Sequence, residues 1–194
     1  DQQRFVSRLY ARDGTLWKRE PDLARAIQNR LGWVDSASEF QERVSEIQSF
    51  AKEIRNEDFR QIVILGIGSG VAGARVWTKT FGAARGWPEL MILDSTDPAA
   101  IRQVGAAIET GKTLFIFASR SGATLESLSL YRYHYDLIAK RSQAPGRFFV
   151  AITEPGTWLA REAAAKKFRE CFLEASNASP RYSAMTYYSL LPAA

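Results

Sequence analysis

Cysteine and histidine are almost absent from this sequence, which contains one of each, Cys171 and His134, in 194 residues. A single cysteine excludes an internal disulfide framework and predicts a reducing, cytoplasmic location. Cys171 lies in the apolar stretch 171–173, where we expect a buried structural thiol rather than a nucleophile. With so few nitrogen and sulfur ligands, no zinc-type metal site is expected. His134 is flanked by two tyrosines, and we expect a packing or surface residue there rather than a catalyst.

Long hydrophobic runs are also missing, and no stretch approaches the roughly 20 apolar residues that cross a bilayer. The first twenty residues carry charges throughout, so no signal peptide is expected there. We therefore predict no membrane partner. The net charge of +5 is dispersed over the chain, whereas nucleic-acid binders concentrate their basic residues, so no nucleic-acid partner is predicted. A mildly basic surface suits small anionic ligands equally well.

Both ends of the chain suggest a fragment of a longer protein. The first residue is Asp1 rather than Met, and the last five residues, 190–194, are apolar with no polar tail. Hydrophobic residues make up 46% and charged residues 24% of the composition, which is typical of a globular domain. We expect a helical lead over residues 1–58 and one α/β domain over 59–194.

The lead shows helical periodicity. Leu23, Ile27 and Leu31 recur at every fourth position, and Gly32 follows as a natural helix stop. Ser38 and Gln41 have the spacing of a capping box, which predicts the start of a second helix there. The apolar stripe of that second helix consists of Phe40, Val44, Ile47, Ala51 and Ile54.

The rest of the chain alternates short apolar runs with helical stretches. The runs cover residues 61–67, 90–94, 113–118, 147–152 and 170–174. Because they are nearly continuous in Val, Ile, Leu and Phe, they predict strands that are buried on both faces of a parallel sheet. Asp97-Pro98 is a typical helix start between two of them. We therefore predict an α/β fold, a doubly wound five-stranded parallel sheet with helices on both faces and the flavodoxin-like order 2-1-3-4-5.

In such a sheet ligands bind beyond the carboxyl ends of the strands, where the strand order reverses. The reversal lies between the first and third strands, and the loop after each of them carries a motif. The first loop, 66–73, is rich in glycine, and from Gly68 it fits G-x-G-x-x-G, with Asp94 ending the next strand. This pattern is typical of dinucleotide binding, although a tight strand-to-helix turn requires glycine as well.

The second loop, Ser119-Arg120-Ser121-Gly122-Ala123-Thr124, precedes a helix. Its three hydroxyls and the free amides of the helix N-terminus can donate to all the oxygens of a phosphate group. The alternative is a helix-capping cluster, because Ser and Thr are favoured at helix starts. One hydroxyl would suffice for a cap, so three favour a phosphate monoester as the ligand.

Taken together these motifs resemble one family. The loop 119–124, followed by Leu125-Glu126, is similar to the phosphate loop of sugar isomerase (SIS) domains, and 66–70 is similar to the G-I-G-G-S of glucose-6-phosphate isomerases. Three further segments agree with that family in the same order: 94–98, 151–157 and 181–183. The lead most resembles the isomerase part of bifunctional transaldolase/glucose-6-phosphate isomerases.

The resemblance implies that glucose 6-phosphate and fructose 6-phosphate are interconverted through a cis-enediolate, without metal or organic cofactor. Carried over by motif, Ser119, Ser121 and Thr124 would hold the phosphate, and Arg181 would stabilise the enediolate. The remaining expected substrate-binding residues are Ser69 and Gly70 on the sugar, and Arg120, Gly122 and Ala123 in the phosphate loop.

Three departures from the family pattern stand out: the transposed Gly68-Ser69-Gly70, Ser179-Pro180 before Arg181, and Arg120 in place of a lysine. The resemblance also implies that the base glutamate, a histidine and a lysine lie in a second SIS domain of the same parent chain, and that subunits form a homodimer. Glu126 and Glu154 do not match the base motif, so we expect the isolated chain to be inactive. The rival hypotheses are a non-catalytic SIS module that senses phosphosugars and an NAD-binding Rossmann domain.

Overall fold

The predicted sheet is present in the computed structural model, which describes residues 4–174, 177 and 182–194. All neighbouring strands pair in parallel, in the order β2-β1-β3-β4-β5. The strands are β1 Gln61–Leu65, β2 Glu89–Leu93, β3 Thr113–Ala118, β4 Phe149–Thr153 and β5 Glu170–Leu173. The predicted fold class and strand order are thus confirmed. Because Leu65 pairs with Phe117, the carboxyl ends of β1 and β3 lie side by side at the point of reversal.

Helices precede the sheet and connect its strands. The α-helices are α1 Phe5–Tyr10, α2 Pro21–Gln28, α3 Ser36–Gln41, α4 Val44–Asn56, α5 Ser69–Phe81, α6 Pro98–Ala107, α7 Leu125–Ala139, α8 Trp158–Ala165 and α9 Tyr187–Leu190. Short 3₁₀ turns lie at Gly14–Leu16, Gly32–Val34 and Pro145–Phe148. Asp97 caps α6 as predicted, because its Oδ1 accepts a hydrogen bond from Ala99 N at 2.8 Å. No helix in the described part of the chain has the length and apolarity to cross a bilayer.

The sheet buries a hydrophobic core on each face, because successive strand residues point to opposite sides. Ile64 and Leu114 face a cluster with α4, α5 and α9, whereas Val63 and Phe115 face a cluster with α7 and α8. The predicted second lead helix is two helices, because α3 ends at Gln41 and α4 begins at Val44. Its predicted stripe is buried at Phe40, Ile47 and Ile54, while Val44 is 41% exposed. The lead therefore contributes to the same core as the sheet.

Two helix boundaries in the lead were predicted wrongly. Ser38 lies inside α3, and its hydroxyl donates to the Asp35 carbonyl at 2.9 Å instead of capping a helix. The chain enters α3 directly from the 3₁₀ turn at Gly32–Val34, so no free helix start is left at Ser38. Helix α2 ends at Gln28, before the predicted stop at Gly32. Gly32 instead permits close packing, since a Cβ there would lie 2.5 Å from the Asn177 side chain.

His134 and Cys171, the single histidine and cysteine of the sequence, differ in their burial. His134 is fully buried in α7 beside Phe115, so of the two expected roles, packing or surface, the structure shows packing. Burial lowers the pKa of His134, and the contact of Nδ1 with the Leu130 carbonyl at 2.8 Å opposes that shift. Cys171 is only half-buried, which contradicts the expected buried thiol, because β5 is an edge strand. Burial, with Glu170 adding to it, still raises the pKa of the Cys171 thiol, which disfavours a nucleophilic thiolate.

Candidate functional site

A cavity of about 550 Å³ opens at the carboxyl ends of β1 and β3. Six of the residues predicted from the two loops line it: Ser69, Gly70, Ser119, Arg120, Ser121 and Thr124. The other lining residues are Asn29, Arg30, Ile67, Ala118, Ser127 and Glu154. The fold therefore brings both predicted loops to one concave site at the topological switch point, where doubly wound sheets bind their ligands.

The hydroxyls of the second loop are mostly unused by the fold. Ser119 is held by its backbone, whose N–H donates to the Ile152 carbonyl at 3.0 Å. The Ser119 side chain is buried, and its Oγ has no hydrogen-bond partner among the described residues. Thr124 occupies the N-cap of α7, yet its side chain makes no capping bond. Ser121 Oγ accepts a hydrogen bond from Ala123 N at 3.2 Å. A helix-capping cluster thus does not account for these hydroxyls.

Two predicted site residues shape this loop without lining the cavity. Gly122 has a φ of 65°, and a Cβ there would come within 2.7 Å of the Leu159 amide nitrogen, so only glycine fits. Ala123 contributes the N–H that closes the turn onto Ser121. The start of α8 packs against the loop at Gly122, and the turn at Ala123 keeps the loop hydroxyls at the N-terminus of α7.

The glycines of the first loop have structural roles. A Cβ on Gly66 would lie 2.7 Å from the Ala118 carbonyl oxygen, and one on Gly70 would lie 3.1 Å from it. Gly68 has a φ of 65°, which favours glycine. Gly73 lies against α9, where a Cβ would meet Ser189 Oγ at 2.2 Å. The glycine spacing that suggested a dinucleotide is therefore explained by the fold: close packing requires Gly70 and Gly73, and a positive φ favours glycine at position 68.

Arg120 and Glu154 form an ion pair at the edge of the cavity, with Arg120 Nε donating to Glu154 Oε1 at 2.5 Å. Backbone contacts reinforce this pairing, because Glu154 N and Thr153 Oγ1 both donate to the Arg120 carbonyl, at 3.2 and 3.1 Å. The loop after β4 is thereby tied to the phosphate loop after β3. Much of the Arg120 charge is neutralised by this carboxylate.

Near the ion pair lies Tyr188 of α9, which the sequence did not single out. Its hydroxyl is buried without a partner in the described part of the chain. Burial raises the pKa of Tyr188; Arg120 opposes that shift, and Glu174 and Glu154 add to it. Its phenol therefore stays protonated and neutral at physiological pH.

Asn29 and Arg30 were also missed. They follow the end of α2 in the lead, and about 90 residues separate them from the phosphate loop. No local pattern marks them, because their place at the cavity depends on how the lead folds back across the strand ends. Arg181 lies outside the described residues, as do Ser179 and Pro180, and its predicted role stays a prediction.

A second cavity, of about 630 Å³, has a different character. Aromatic side chains of α4, α5 and the segment before β2 line it, including Phe50, Trp77, Phe81 and Trp87. Glu89 is the one charged side chain among the described residues that line it, and it would repel an anion. No group of three or more His, Cys, Asp or Glu side chains in the described residues is arranged to hold a metal ion. The cavity at the ends of β1 and β3 is therefore the better anion site.

Comparison with known proteins finds relatives in sequence and in structure. No family model matches the chain. A glucose-6-phosphate isomerase from Carboxydothermus hydrogenoformans is 29% identical over 164 residues, which cover 79% of this chain and 35% of that relative. The chain thus spans little more than a third of the length of the curated relatives it matches.

Solved structures share the fold. A hypothetical protein from Thermus thermophilus matches 98% of this chain and 43% of its own, with a TM-score of 0.79 and 23% identity. A glucose-6-phosphate isomerase from Chlamydia trachomatis matches 95% of this chain and 34% of its own, with a TM-score of 0.70 and 20% identity. The chain is therefore similar in sequence to glucose-6-phosphate isomerases and has an SIS-like fold.

Proposed function

We propose that this chain is the N-terminal, sugar-phosphate-binding half of a glucose-6-phosphate isomerase. In this proposal residues 1–58 form a helical lead and 59–194 an SIS domain, and the parent protein is cytoplasmic and contains a second SIS domain. The observation that carries the proposal is the buried Ser119 hydroxyl, which lines the cavity without a partner among the described residues. A buried polar group without a partner is costly, and a phosphate oxygen would satisfy it.

The phosphate group would sit at the N-terminus of α7, which is 15 residues long. Helix N-termini attract anions through their free amides and the helix dipole. Ser119, Ser121 and Thr124 would add hydroxyl donors from the same loop. Ser69 and Gly70 line the cavity on the side of the first loop, and we assign them to the sugar.

The reaction would move a proton from C2 of glucose 6-phosphate to C1, through a cis-enediolate, with no cofactor. It requires a carboxylate base and a cation beside the developing oxyanion. We assign the cation to Arg181. The only carboxylate that lines the described cavity is Glu154, and Arg120 already engages it. We therefore assign the base to the second SIS domain of the parent chain, which we propose acts as a homodimer.

The second candidate is a non-catalytic SIS module that senses phosphosugars. The observation that favours it is the same ion pair, since Arg120 keeps the one cavity carboxylate occupied. Both candidates require phosphosugar binding, and they differ only in turnover.

Binding is tested by calorimetry with fructose 6-phosphate and with fructose. The double variant Ser121→Ala/Thr124→Ala should bind fructose 6-phosphate about 1–3 kcal/mol more weakly, since it loses hydrogen bonds to a charged group. Ser129→Ala is the matched control, because Ser129 lies in α7, the helix that follows the phosphate loop, and its hydroxyl donates to the Leu125 carbonyl. Equal affinity of the double variant and wild type would refute the site.

Turnover is tested in a coupled isomerase assay. The 194-residue chain should bind phosphosugar and show no activity, whereas a protein that continues into the native second domain should be active. In that longer protein Arg181→Ala should lower kcat more than it raises KM. Robust turnover by the short chain would place the base within it, and an inactive longer protein that still binds would favour the sensing module.

A further inference from the structure

We infer that Arg30 is a specificity-determining residue of the cavity, which selects dianionic phosphomonoesters over neutral sugars. The inference rests on the proposed function, because it concerns the ligand of the same site. It adds a residue of the lead to a phosphate site that the sequence motifs confine to the α7 loop.

The charges that line the cavity single out Arg30. Three charged side chains are present among the lining residues that the structure describes: Arg30, Arg120 and Glu154. Arg120 and Glu154 neutralise one another in an ion pair. Among the described residues, the net positive charge of the cavity wall therefore comes from Arg30. In a cleft with one dominant sign of charge, the field attracts ligands of opposite charge.

The backbone around Arg30 is anchored, whereas its side chain is not. Arg30 N donates to the Ile27 carbonyl at 2.8 Å, and the next residue, Leu31, is 6% exposed. Gly32 N donates to the Asn177 carbonyl at 2.9 Å. The exposed Arg30 guanidinium forms no ion pair within residues 4–174, 177 and 182–194.

Other arginines of the lead form ion pairs with nearby carboxylates. Arg8 Nε donates to Asp13 at 2.7 Å, and Arg12 Nε donates to Asp35 at 2.9 Å. Both hold segments of the lead together. Arg30 has no such task among the described residues, and it lines a cavity that also contains the unsatisfied Ser119 hydroxyl.

The chemistry fits a phosphate dianion. The hydroxyls and amides of the α7 loop are neutral donors, so they leave most of the ligand charge uncompensated. A guanidinium adds a planar pair of charged donors that matches two phosphate oxygens. The neighbouring Asn29 amide, which also lines the cavity, offers a donor and an acceptor to a sugar hydroxyl. The ligand class is thus a phosphomonoester of a small polyhydroxylated molecule.

The test compares Arg30→Gln and Arg30→Lys with Arg25→Gln in the full chain. Arg25 is an exposed arginine of α2, the helix that ends two residues before Arg30, and it does not line the cavity. Calorimetry with fructose 6-phosphate and with inorganic phosphate should show about ten-fold weaker binding to Arg30→Gln. Arg30→Lys should recover part of that loss because it restores the charge, and Arg25→Gln should stay within about two-fold of wild type. Urea unfolding should be the same for all three variants.

The outcomes separate this inference from the proposed function. Unchanged affinity of Arg30→Gln, while Ser121→Ala/Thr124→Ala binds weakly, overturns the role of Arg30 and leaves the phosphate site standing. An equal loss in Arg25→Gln also overturns it, because the effect is then general surface charge. If the wild-type protein binds no phosphosugar, both the role of Arg30 and the proposed function are contradicted.

Discussion

The two loops at the ends of β1 and β3 border the same cavity, yet their characteristic residues have different roles. In the first loop the characteristic residues serve the fold: Gly66 and Gly70 let the chain pass close to Ala118, and Gly73 makes room for α9. In the second loop the characteristic hydroxyls are largely unused, since Ser119 Oγ has no described partner and Thr124 does not cap α7. A motif residue that the fold does not use is therefore the stronger indication of a ligand.

The sharpest test of the first loop is Gly66→Ala. The added methyl group would lie 2.7 Å from a backbone carbonyl oxygen, which cannot move without disturbing β3. We expect the free energy of unfolding to fall by about 3 kcal/mol, at the upper end of the usual cost of overpacking. Urea unfolding monitored by circular dichroism measures this change.

Gly105→Ala is the control, because Gly105 lies in α6 with open space around the Cβ position. Alanine in a helix interior should stabilise by about 0.5–1 kcal/mol relative to glycine. Equal stability of Gly66→Ala and wild type would show that the first loop is not constrained by packing, and the contrast with the second loop would fail.

The second loop should respond in the opposite way to Ser119→Ala. Removal of a buried hydroxyl without a described partner should leave the free energy of unfolding unchanged or slightly higher. Binding of fructose 6-phosphate should weaken by about 2 kcal/mol, because one hydrogen bond to a charged group is lost. Unfolding and calorimetric titration on the same samples separate the two effects. A destabilised variant that binds normally would contradict the assignment of Ser119 to a ligand.

Helix α7, which the second loop opens, should show a pH-dependent stability through His134. Burial lowers the folded-state pKa of His134 below its unfolded value of about 6.5. Its neutral form therefore contributes stability that is fully present above about pH 6.5 and is lost as pH falls towards the lowered pKa. The slope of the free energy of unfolding against pH should not exceed about 1.4 kcal/mol per pH unit, which is the limit for one proton.

His134→Gln should flatten this slope between about pH 6.5 and 5 in urea unfolding. The acidic groups act at lower pH; Arg169, for example, lowers the pKa of Glu57 from 4.5, which stabilises the fold above that value. The pH range in which His134 affects stability can thus be distinguished from the lower pH range of the acidic groups. The same slope in wild type and variant would mean that the titration of His134 is not coupled to folding.

The sheet was predictable because each strand carries its own signal. β3, for example, is a run of six buried residues with the predicted bounds, 113–118. The lead was harder, because its helices are short and their ends depend on tertiary contacts. Ser38 shows this: the capping-box spacing was correct, but a preceding 3₁₀ turn left no helix start for it to cap.

The residues of the candidate site show the same difference between local sequence signals and tertiary contacts. The hydroxyls of 119–124 were found because their chemistry lies in one stretch of sequence. Arg30 and Glu154 were not assigned to the cavity, because they come from the lead and from the loop after β4. Only the fold brings them to the cavity, where Glu154 pairs with Arg120. Sequence patterns therefore identify local donors well and identify the charges around them poorly.

The smallest expected effect is the response to NAD, which tests the dinucleotide interpretation of the first loop. A ligand that binds the folded state at 100 times its Kd would add about 2.7 kcal/mol to stability. We expect no shift of Tm with NAD or NADP, because packing and the positive φ of Gly68 explain the glycines at 66–73 and Asp94 is paired with Arg75. Fructose 6-phosphate should raise Tm in the same thermal scans. A rise with NAD and none with the phosphosugar would reverse the roles of the two loops, making the first loop the ligand site.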